Sequence, residues 1–274
     1  MTSSQIESLT RRQFVASSLS GSAAAVSLLA WGAEGVSKAS SHIVIMTVED
    51  PDNYDAVNSM RNFAEQELRP LSHRVTIIEG DKPNRNHFAG LVEALQDADL
   101  LVLFTRRRFP PKGQLDAVRA HLDAGKPLLG IRTANHAFIL RPKETLTDPS
   151  LATWPEFTVD VLGGENTGYE TKGLPYGVGV SPGAAESPLL KGVNAAKILG
   201  HESLYKVLPL AADTTPLLLG TAQGQLPAQP IAWTRLYGTN KARIFYTSLG
   251  APADMKQPDV RRLLLNAVAW TLTK

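Results

Sequence analysis

The fold of this chain is decided by the stretch Leu128-Leu129-Gly130-Ile131-Arg132-Thr133-Ala134-Asn135-His136-Ala137-Phe138, in which an apolar run leads directly into a polar turn. The run up to Ile131 has the composition of a strand that is buried on both faces. In open α/β sheets, the turn that follows a parallel strand lies at the edge where these folds bind ligands. The stretch therefore predicts a parallel sheet with a site at its carboxyl edge.

The segments before this stretch alternate between buried strands and amphipathic helices. Strands are predicted over four apolar runs, at residues 42–48, 73–78, 98–105 and 126–131. Helices are predicted between them, over residues 53–71, over residues 88–95 and around Leu115, Val118 and Leu122. This order predicts an α/β, flavodoxin-like, doubly wound fold, with a mostly parallel sheet and helices on both faces.

The second half of the chain is richer in strands. Strands are predicted over residues 157–162, 177–180, 197–200, 203–208 and 216–219, and a hairpin over residues 230–235 and 242–248. A last helix is predicted over residues 260–272, with its apolar residues on one side. No repeat and no linker interrupts this part, so residues 40–274 are predicted to form one domain.

Residues 1–39 have a different character. The pair Arg11-Arg12 precedes a weakly apolar run rich in Ser, Ala and Gly, and Ser37-Lys38-Ala39 offers small residues for cleavage. This pattern predicts a twin-arginine export signal, with the twin-arginine export machinery as partner and a periplasmic or extracellular location in bacteria. The run is too short and polar to span a bilayer comfortably, so no stable membrane insertion is expected after processing. An uncleaved anchor and a disordered tail are the alternatives.

The composition narrows the classes of function. The chain has 274 residues, of which 43% are hydrophobic and 20% charged, and its formal net charge is +2. These values are typical of a soluble globular domain and do not predict nucleic-acid binding. The chain has no cysteine, which excludes a thiolate nucleophile and cysteine-ligated zinc and fits folding in a reducing compartment before export. Homo-oligomerisation is left open.

Five segments, taken in order, resemble the ThuA-like (trehalose-utilisation) family, a branch of the class I glutamine amidotransferase-like superfamily. They are ADLLVLFTRRR (98–108), GIRTANHAF (130–138), FTVDVLGG (157–164), PIAWTR (230–235) and ARIFYTSLG (242–250). The resemblance covers residues 42–273 and implies the same flavodoxin-like fold. It also implies a link to trehalose-like disaccharides and their keto derivatives. The amidotransferases carry a cysteine nucleophile at a turn of this kind, whereas this chain has Arg132, so amidotransfer is not expected.

The chain departs from this family pattern where the family commonly has histidines. Residues 165–170 replace a histidine-rich turn, Ala251 follows the Thr-Ser-Leu-Gly run, and Gln229 precedes Pro230. Imidazoles serve as general bases and as metal ligands, so these roles are in doubt at the three positions.

Most candidate site residues follow from the predicted carboxyl edge, whereas Tyr169 and Glu170 are candidates because the resemblance places them in the turn where the family has histidines. His136, Arg132 and Glu170 are the candidate catalytic residues. The candidate substrate-binding residues are Glu49, Asp50, Arg106, Arg107, Thr133, Asn135 and Tyr169. Helix N-termini and guanidinium groups both favour polar or anionic ligands at such an edge.

Several candidates also have a structural interpretation. Thr133 and Asn135 can cap the following helix, His136 can bond to a carbonyl group, the arginines can be solvated, and Asp50 can be a turn residue. His201 and Glu202, taken with His136 and His87, match no metal-ligand spacing, so a structural histidine is favoured and neither a metal nor another cofactor is predicted.

The sequence thus predicts an exported protein that binds or acts on a carbohydrate or keto-sugar, with isomerase-like or hydrolase-like chemistry. The alternative is a non-catalytic sugar-binding or accessory protein with a degenerate site. Whether the chain is an enzyme is left open.

Overall fold

The computed structural model of the chain describes residues 40–83, 85–169, 174–222 and 227–273. The predicted export signal, residues 1–39, and the candidate catalytic residue Glu170 lie outside the described residues. No helix within the described ranges is long and apolar enough to cross a membrane.

The strands and helices follow one another along the chain in the predicted rhythm. The strands are β1 (His42–Thr47), β2 (Arg74–Glu79), β3 (Leu100–Phe104), β4 (Leu128–Ile131), β5 (Gly168–Tyr169), β6 (Tyr176–Val180), β7 (Leu199–Gly200), β8 (Tyr205–Lys206), β9 (Thr215–Ala222), β10 (Gln229–Tyr237) and β11 (Ala242–Thr247). The α-helices are α1 (Ala56–Phe63), α2 (Leu91–Gln96), α3 (Lys112–Asp123) and α4 (Pro258–Leu272).

One sheet of nine strands organises these elements, in the order β2-β1-β3-β4-β11-β10-β9-β6-β7. The first five strands are mutually parallel, and the remaining four pair antiparallel. Strands β5 and β8 form a separate antiparallel pair. The predicted α/β, flavodoxin-like class is confirmed, and the strand-rich second half forms the antiparallel side of the same sheet.

The helices cover both faces of the sheet. Successive residues of a strand point to opposite faces, so Ile43 and Ile45 of β1 join one apolar cluster, whereas Val44 and Met46 join the other. Apolar residues of α1 and α4 belong to the first cluster, and those of α2 and α3 belong to the second. This double burial explains why the parallel strands are continuous apolar runs.

The strands predicted over residues 197–200 and 203–208 are shortened to β7 and β8, and two further predicted elements differ in type or continuity. The prediction of a strand over residues 157–162 was wrong, because Phe157–Leu162 forms a short π-helix. Its buried residues are Phe157, Thr158, Val161 and Leu162, a helical spacing that the β-branched composition concealed. The helix predicted over residues 53–71 is split into α1, a π-helical turn at Ala64–Leu68 and a 3-10 turn at Arg69–Leu71.

Candidate functional site

A cleft of about 410 Å³ lies beyond the carboxyl ends of β1, β3 and β4. We call it the tyrosine cleft, and it is lined by Pro51, Asp52, Tyr54, Asp55, Arg106, His136, Tyr169, Glu202, Ser203, Tyr205 and Pro252. The connections after β1 and β3 leave on opposite sides of the sheet, because α1 packs on one face and α2 and α3 on the other. Doubly wound proteins bind ligands at this switch point.

Aromatic rings form much of the cleft wall. Tyr205 is 4% exposed and its ring lies 5.6 Å from the ring of His136, whereas Tyr169 is 58% exposed at the entrance. Tyr54, in the loop between β1 and α1, completes the set. The cleft therefore offers apolar ring surfaces beside polar groups, a combination that suits an amphipathic ligand.

Arg132 lies beneath the residues that line the tyrosine cleft. Its side chain is fully buried and does not line the cleft itself. Its guanidinium donates to the carbonyl groups of Ser248 (2.7 Å) and Ser203 (3.5 Å). It packs against the ring of Tyr54, at 4.1 Å, and that of Tyr205, at 5.1 Å. The predicted catalytic arginine thus supports the rings of the cleft from beneath.

The charge of Arg132 is retained despite its burial. Burial lowers the pKa of the guanidinium, but the phenolic groups of Tyr205, Tyr176 and Tyr54 more than offset this and raise its pKa above the ordinary value. No carboxylate within the described ranges forms an ion pair with it. Burying a cation costs free energy. The hydrogen bonds and ring contacts of the Arg132 guanidinium offset this cost.

His136 lies on the cleft wall, as predicted for a candidate catalytic residue, but its Nε2 atom is already bonded. Asn166 Oδ1 accepts from the Gly168 N–H, so the Asn166 Nδ2 faces His136 Nε2, at 3.2 Å, and donates to it. The imidazole is therefore the tautomer protonated on Nδ1. Burial, with Arg107 and Arg106 nearby, lowers the pKa of His136 to about 4, so the ring is neutral at physiological pH.

Thr133 and Asn135, predicted to bind substrate, are buried within the turn. Thr133 Oγ1 donates to Asn53 Oδ1. Asn135 Nδ2 donates to the Gly164 carbonyl (2.9 Å), and its Oδ1 accepts from the Asn166 N–H (3.1 Å). Neither residue caps the helical turn that they occupy. Both connect the turn to neighbouring loops instead.

The predicted arginines after β3 separate from one another. Arg106 lines the tyrosine cleft and pairs with Asp52 at 3.1 Å. Arg107 turns away and donates to the Ile139 carbonyl at 2.7 Å. Arg106 is therefore the member of this group that a ligand in the cleft would meet.

Glu49 and Asp50 line a neighbouring cleft of about 620 Å³, which shares Pro51 and Asp55 with the tyrosine cleft. Glu49 pairs with Lys82, and Asp50 pairs with Arg108. Burial by itself would raise the pKa of Asp50. Hydrogen bonds from the Asp52 N–H and Arg108 outweigh this effect, so the pKa of Asp50 lies below its ordinary value. The structure thus separates these two predicted ligand-binding residues from His136 and Tyr169.

Backbone strain is concentrated around the tyrosine cleft. Nine described non-glycine residues have positive φ, and five of them line or adjoin the cleft. These are Tyr54 (54°), Asp55 (49°), Arg107 (45°), Arg132 (41°) and Glu202 (64°). Left-handed conformations cost free energy for residues with a Cβ, and they persist where the surrounding structure holds a functional geometry.

Sequence reasoning missed several cleft residues. Asp52, Tyr54 and Asp55 lie a few residues after the end of β1. This position in the sequence could have indicated that they lie at the carboxyl edge of the sheet. Glu202, Ser203 and Tyr205 come from the second half, and only the tertiary structure brings them to this edge. No three His, Asp or Glu side chains are grouped to hold a metal ion in the part of the chain that the structure describes.

The fold and the cleft together define a doubly wound α/β protein with a ligand cleft at its switch point. The family model for trehalose utilisation (ThuA) matches residues 53–271, so the chain belongs to the ThuA family. A comparison with curated proteins gives no match.

Two solved structures have a similar fold. A ThuA-like protein from Bacteroides uniformis ATCC 8492 superposes with a TM-score of 0.65 at 16% identity, covering 89% of this chain and 96% of that one. A ThuA-like protein from Parabacteroides merdae ATCC 43184 gives 0.59 at 14% identity, covering 86% and 91%. At these identities the likeness concerns the fold alone.

Proposed function

We propose that this protein binds a neutral carbohydrate or keto-sugar in the tyrosine cleft. The observation that carries the proposal is the grouping of three tyrosines with Asp52, Asp55, Glu202 and Arg106 around one cavity. Sugar rings present C–H faces that pack on aromatic rings, and hydroxyl groups that bond to carboxylates and guanidinium groups. The volume of the cleft is within the range of small-molecule sites.

The charge of the wall favours an uncharged ligand. Three carboxylates and one guanidinium line the cleft, and His136 is neutral at physiological pH. The three carboxylates would repel the phosphate of a phosphorylated sugar, whereas a free sugar would find in them acceptors for its hydroxyl groups. Membership of the ThuA family links such a ligand to trehalose utilisation.

Any chemistry in the cleft is isomerase-like or hydrolase-like, and it is not amidotransfer, because the chain has no cysteine. The lone pair of His136 Nε2 is occupied by Asn166, which favours a binding or orienting role for this imidazole. The second candidate function, a non-catalytic sugar-binding protein, rests on this observation.

Isothermal titration calorimetry with trehalose, D-glucose and D-fructose tests the proposal. The parent protein should bind at least one of them, and Arg106→Ala should weaken that binding at least fivefold. Arg262→Ala is the matched control, because Arg262 is an exposed arginine of α4 that does not line the cleft. No binding of any of these sugars, or equal loss in both variants, would contradict the proposal.

We also propose that residues 1–39 direct export by the twin-arginine route, so that the mature protein meets its sugar in the periplasm or outside the cell. The Arg11-Arg12 pair and the absence of cysteine support this. Cell fractionation should find a shortened chain outside the cytoplasm, and Arg11→Lys with Arg12→Lys should retain the full-length chain inside. A full-length cytoplasmic parent would contradict this location.

A further inference from the structure

The side chain of Asn53 joins the three turns that carry the parallel half of the tyrosine cleft. Asn53 is 0% exposed. Its Nδ2 donates to the carbonyl groups of Val48 (2.9 Å), directly after β1, and Phe104 (3.1 Å), at the end of β3. Its Oδ1 accepts from Thr133 Oγ1, in the turn after β4. Because β1, β3 and β4 are neighbours in the sheet, one amide connects three adjacent carboxyl ends.

Every polar group of Asn53 is hydrogen-bonded. Both N–H groups of Nδ2 and the Oδ1 atom have the partners just described. The backbone N–H donates to the Asp50 carbonyl at 2.9 Å, and the backbone carbonyl accepts from the Ala56 N–H at 3.1 Å. A buried amide with all its groups bonded favours a single position, because any shift would leave a polar group unsatisfied.

Asn53 lies within a segment that borders the cleft but does not line the cleft itself. Pro51, Asp52, Tyr54 and Asp55 all line it. The two residues that follow Asn53 have left-handed backbone conformations, with φ of 54° at Tyr54 and 49° at Asp55. Such conformations cost free energy for residues with a Cβ, so neighbouring interactions must hold them. The hydrogen bonds of Asn53 are the adjacent interactions that do so.

We propose that Asn53 is a positioning residue of the tyrosine cleft. It fixes residues 51–55 relative to the turns after β3 and β4, and thereby sets the place of the Tyr54 ring beside Arg106 and His136. The inference rests on the proposed sugar-binding function and names a further residue on which that site depends. A wall that is already in place spares the ligand the cost of ordering it, so sugar affinity depends on a side chain that the sugar does not touch.

The variant Asn53→Asp keeps the shape of the side chain, but its carboxyl group cannot donate to two carbonyl groups at once. The matched control is Gln114→Glu. Gln114, in α3, is also a buried amide, and it donates to the Phe88 carbonyl at 2.8 Å and accepts from the Phe88 N–H at 3.0 Å. It does not line the cleft. Both variants should lose stability, but only Asn53→Asp should change the ligand site.

Titration calorimetry with trehalose, D-glucose and D-fructose makes the first comparison, at a temperature where circular dichroism shows that both variants are folded. Asn53→Asp should weaken sugar binding about tenfold, and Gln114→Glu less than about twofold. Equal effects of the two variants would overturn the proposal. Parent-like binding by Asn53→Asp would overturn it as well and leave the binding function intact. A parent that binds none of these sugars would remove both.

A double-mutant cycle separates positioning from a general loss of structure. Tyr54→Ala should weaken binding about fivefold in the parent but less than about twofold in Asn53→Asp, because the ring is no longer held in place there. Tyr169→Ala, which removes a ring carried by β5, should weaken binding equally in both backgrounds. If Tyr54→Ala also acts equally in both, Asn53 does not act through Tyr54 and the proposal fails.

If Asn53→Asp does not fold, Thr133 decides. Thr133→Val removes the hydroxyl group that donates to Asn53 Oδ1 and should weaken sugar binding about threefold. Thr133→Ser keeps the hydroxyl group and should restore binding to within about twofold of the parent. Parent-like binding by Thr133→Val, or equal losses in the two variants, would overturn the proposal.

Discussion

The parallel and antiparallel halves of the sheet contribute differently to the tyrosine cleft. The parallel half contributes Tyr54, Arg106 and His136, which lie in the turns after β1, β3 and β4. The antiparallel half and its connections contribute Tyr169, Glu202 and Tyr205. The scaffold therefore follows from repeated βα units, whereas the site requires two stretches that are distant along the chain to meet.

Arg132 joins the two halves and gives the largest expected effect. Arg132→Ala leaves the carbonyl groups of Ser203 and Ser248 without their donor and removes the support of two rings. We expect a loss of about 3–5 kcal/mol in unfolding free energy, measured by urea denaturation. The control Arg106→Ala breaks a surface pair with Asp52 and should cost less than about 1 kcal/mol. Equal effects of the two variants would show that Arg132 does not join the halves.

Acidification should destabilise the protein through two histidines, one in α3 and one in the cleft. Burial lowers the pKa of His121 to about 4, below the ordinary value of 6.5. Burial, together with the nearby charge of Arg107, lowers the pKa of His136 to about 4 as well. The unfolded chain then binds more protons than the folded one, so their stabilisation is complete above pH 6.5 and is lost as the pH falls to 4.

The expected loss is about 2–3 kcal/mol for each histidine over this interval, measured by urea denaturation at a series of pH values. His121→Gln and His136→Gln should each flatten the profile between pH 6.5 and 4. A parent profile that is flat in this interval would contradict the burial of neutral imidazoles.

Trp233 of β10 ties the antiparallel half to the π-helix at Phe157–Leu162. Its buried Nε1–H donates to the Leu162 carbonyl at 2.6 Å. Trp233→Phe should lower the unfolding free energy by about 1–2 kcal/mol, because the carbonyl group loses its donor. Trp270→Phe, in α4, is the control and should change it less. Thermal melting of both variants measures the difference. A Trp233→Phe variant that melts as the parent does would contradict a stabilising hydrogen bond from Trp233 to Leu162.

Replacing Tyr169 should weaken ligand binding without changing the stability of the fold. Of the substitutions considered, it should have the smallest effect on the free energy of unfolding. It is 58% exposed at the entrance of the cleft. Tyr169→Ala should weaken sugar binding by about 1 kcal/mol, roughly fivefold, and leave the melting temperature unchanged. Leu174→Ala, another exposed apolar residue, should change neither value. Titration calorimetry of both variants separates a ligand contact from general surface change.

The sequence predicted the parallel half well because its signals are local. Apolar runs such as residues 98–105 and the helical spacing of Leu115, Val118 and Leu122 define elements without tertiary information. The segment at residues 157–162 was assigned wrongly, because its β-branched residues have strand propensity while the burial of Phe157, Val161 and Leu162 follows a helical period. Local composition alone could not decide between the two.

The site was predicted only in part, for a physical reason. Positions after parallel strands correctly indicated the edge at which Arg106 and His136 lie. Sequence could not show that Arg132 is buried, since its partners Ser203 and Ser248 are more than 70 residues away along the chain. Nor could it show that Glu49 and Asp50 are drawn into ion pairs in a separate cleft.

Hydrogen–deuterium exchange of the backbone, with and without saturating sugar, tests the tyrosine cleft most directly. We expect slower exchange in both halves at once, at residues 50–55 and 105–108 of the parallel half and at residues 202–205 beyond β7. Protection confined to one half, or centred on the distant cavity formed by residues 178–180 and 192–196, would contradict it.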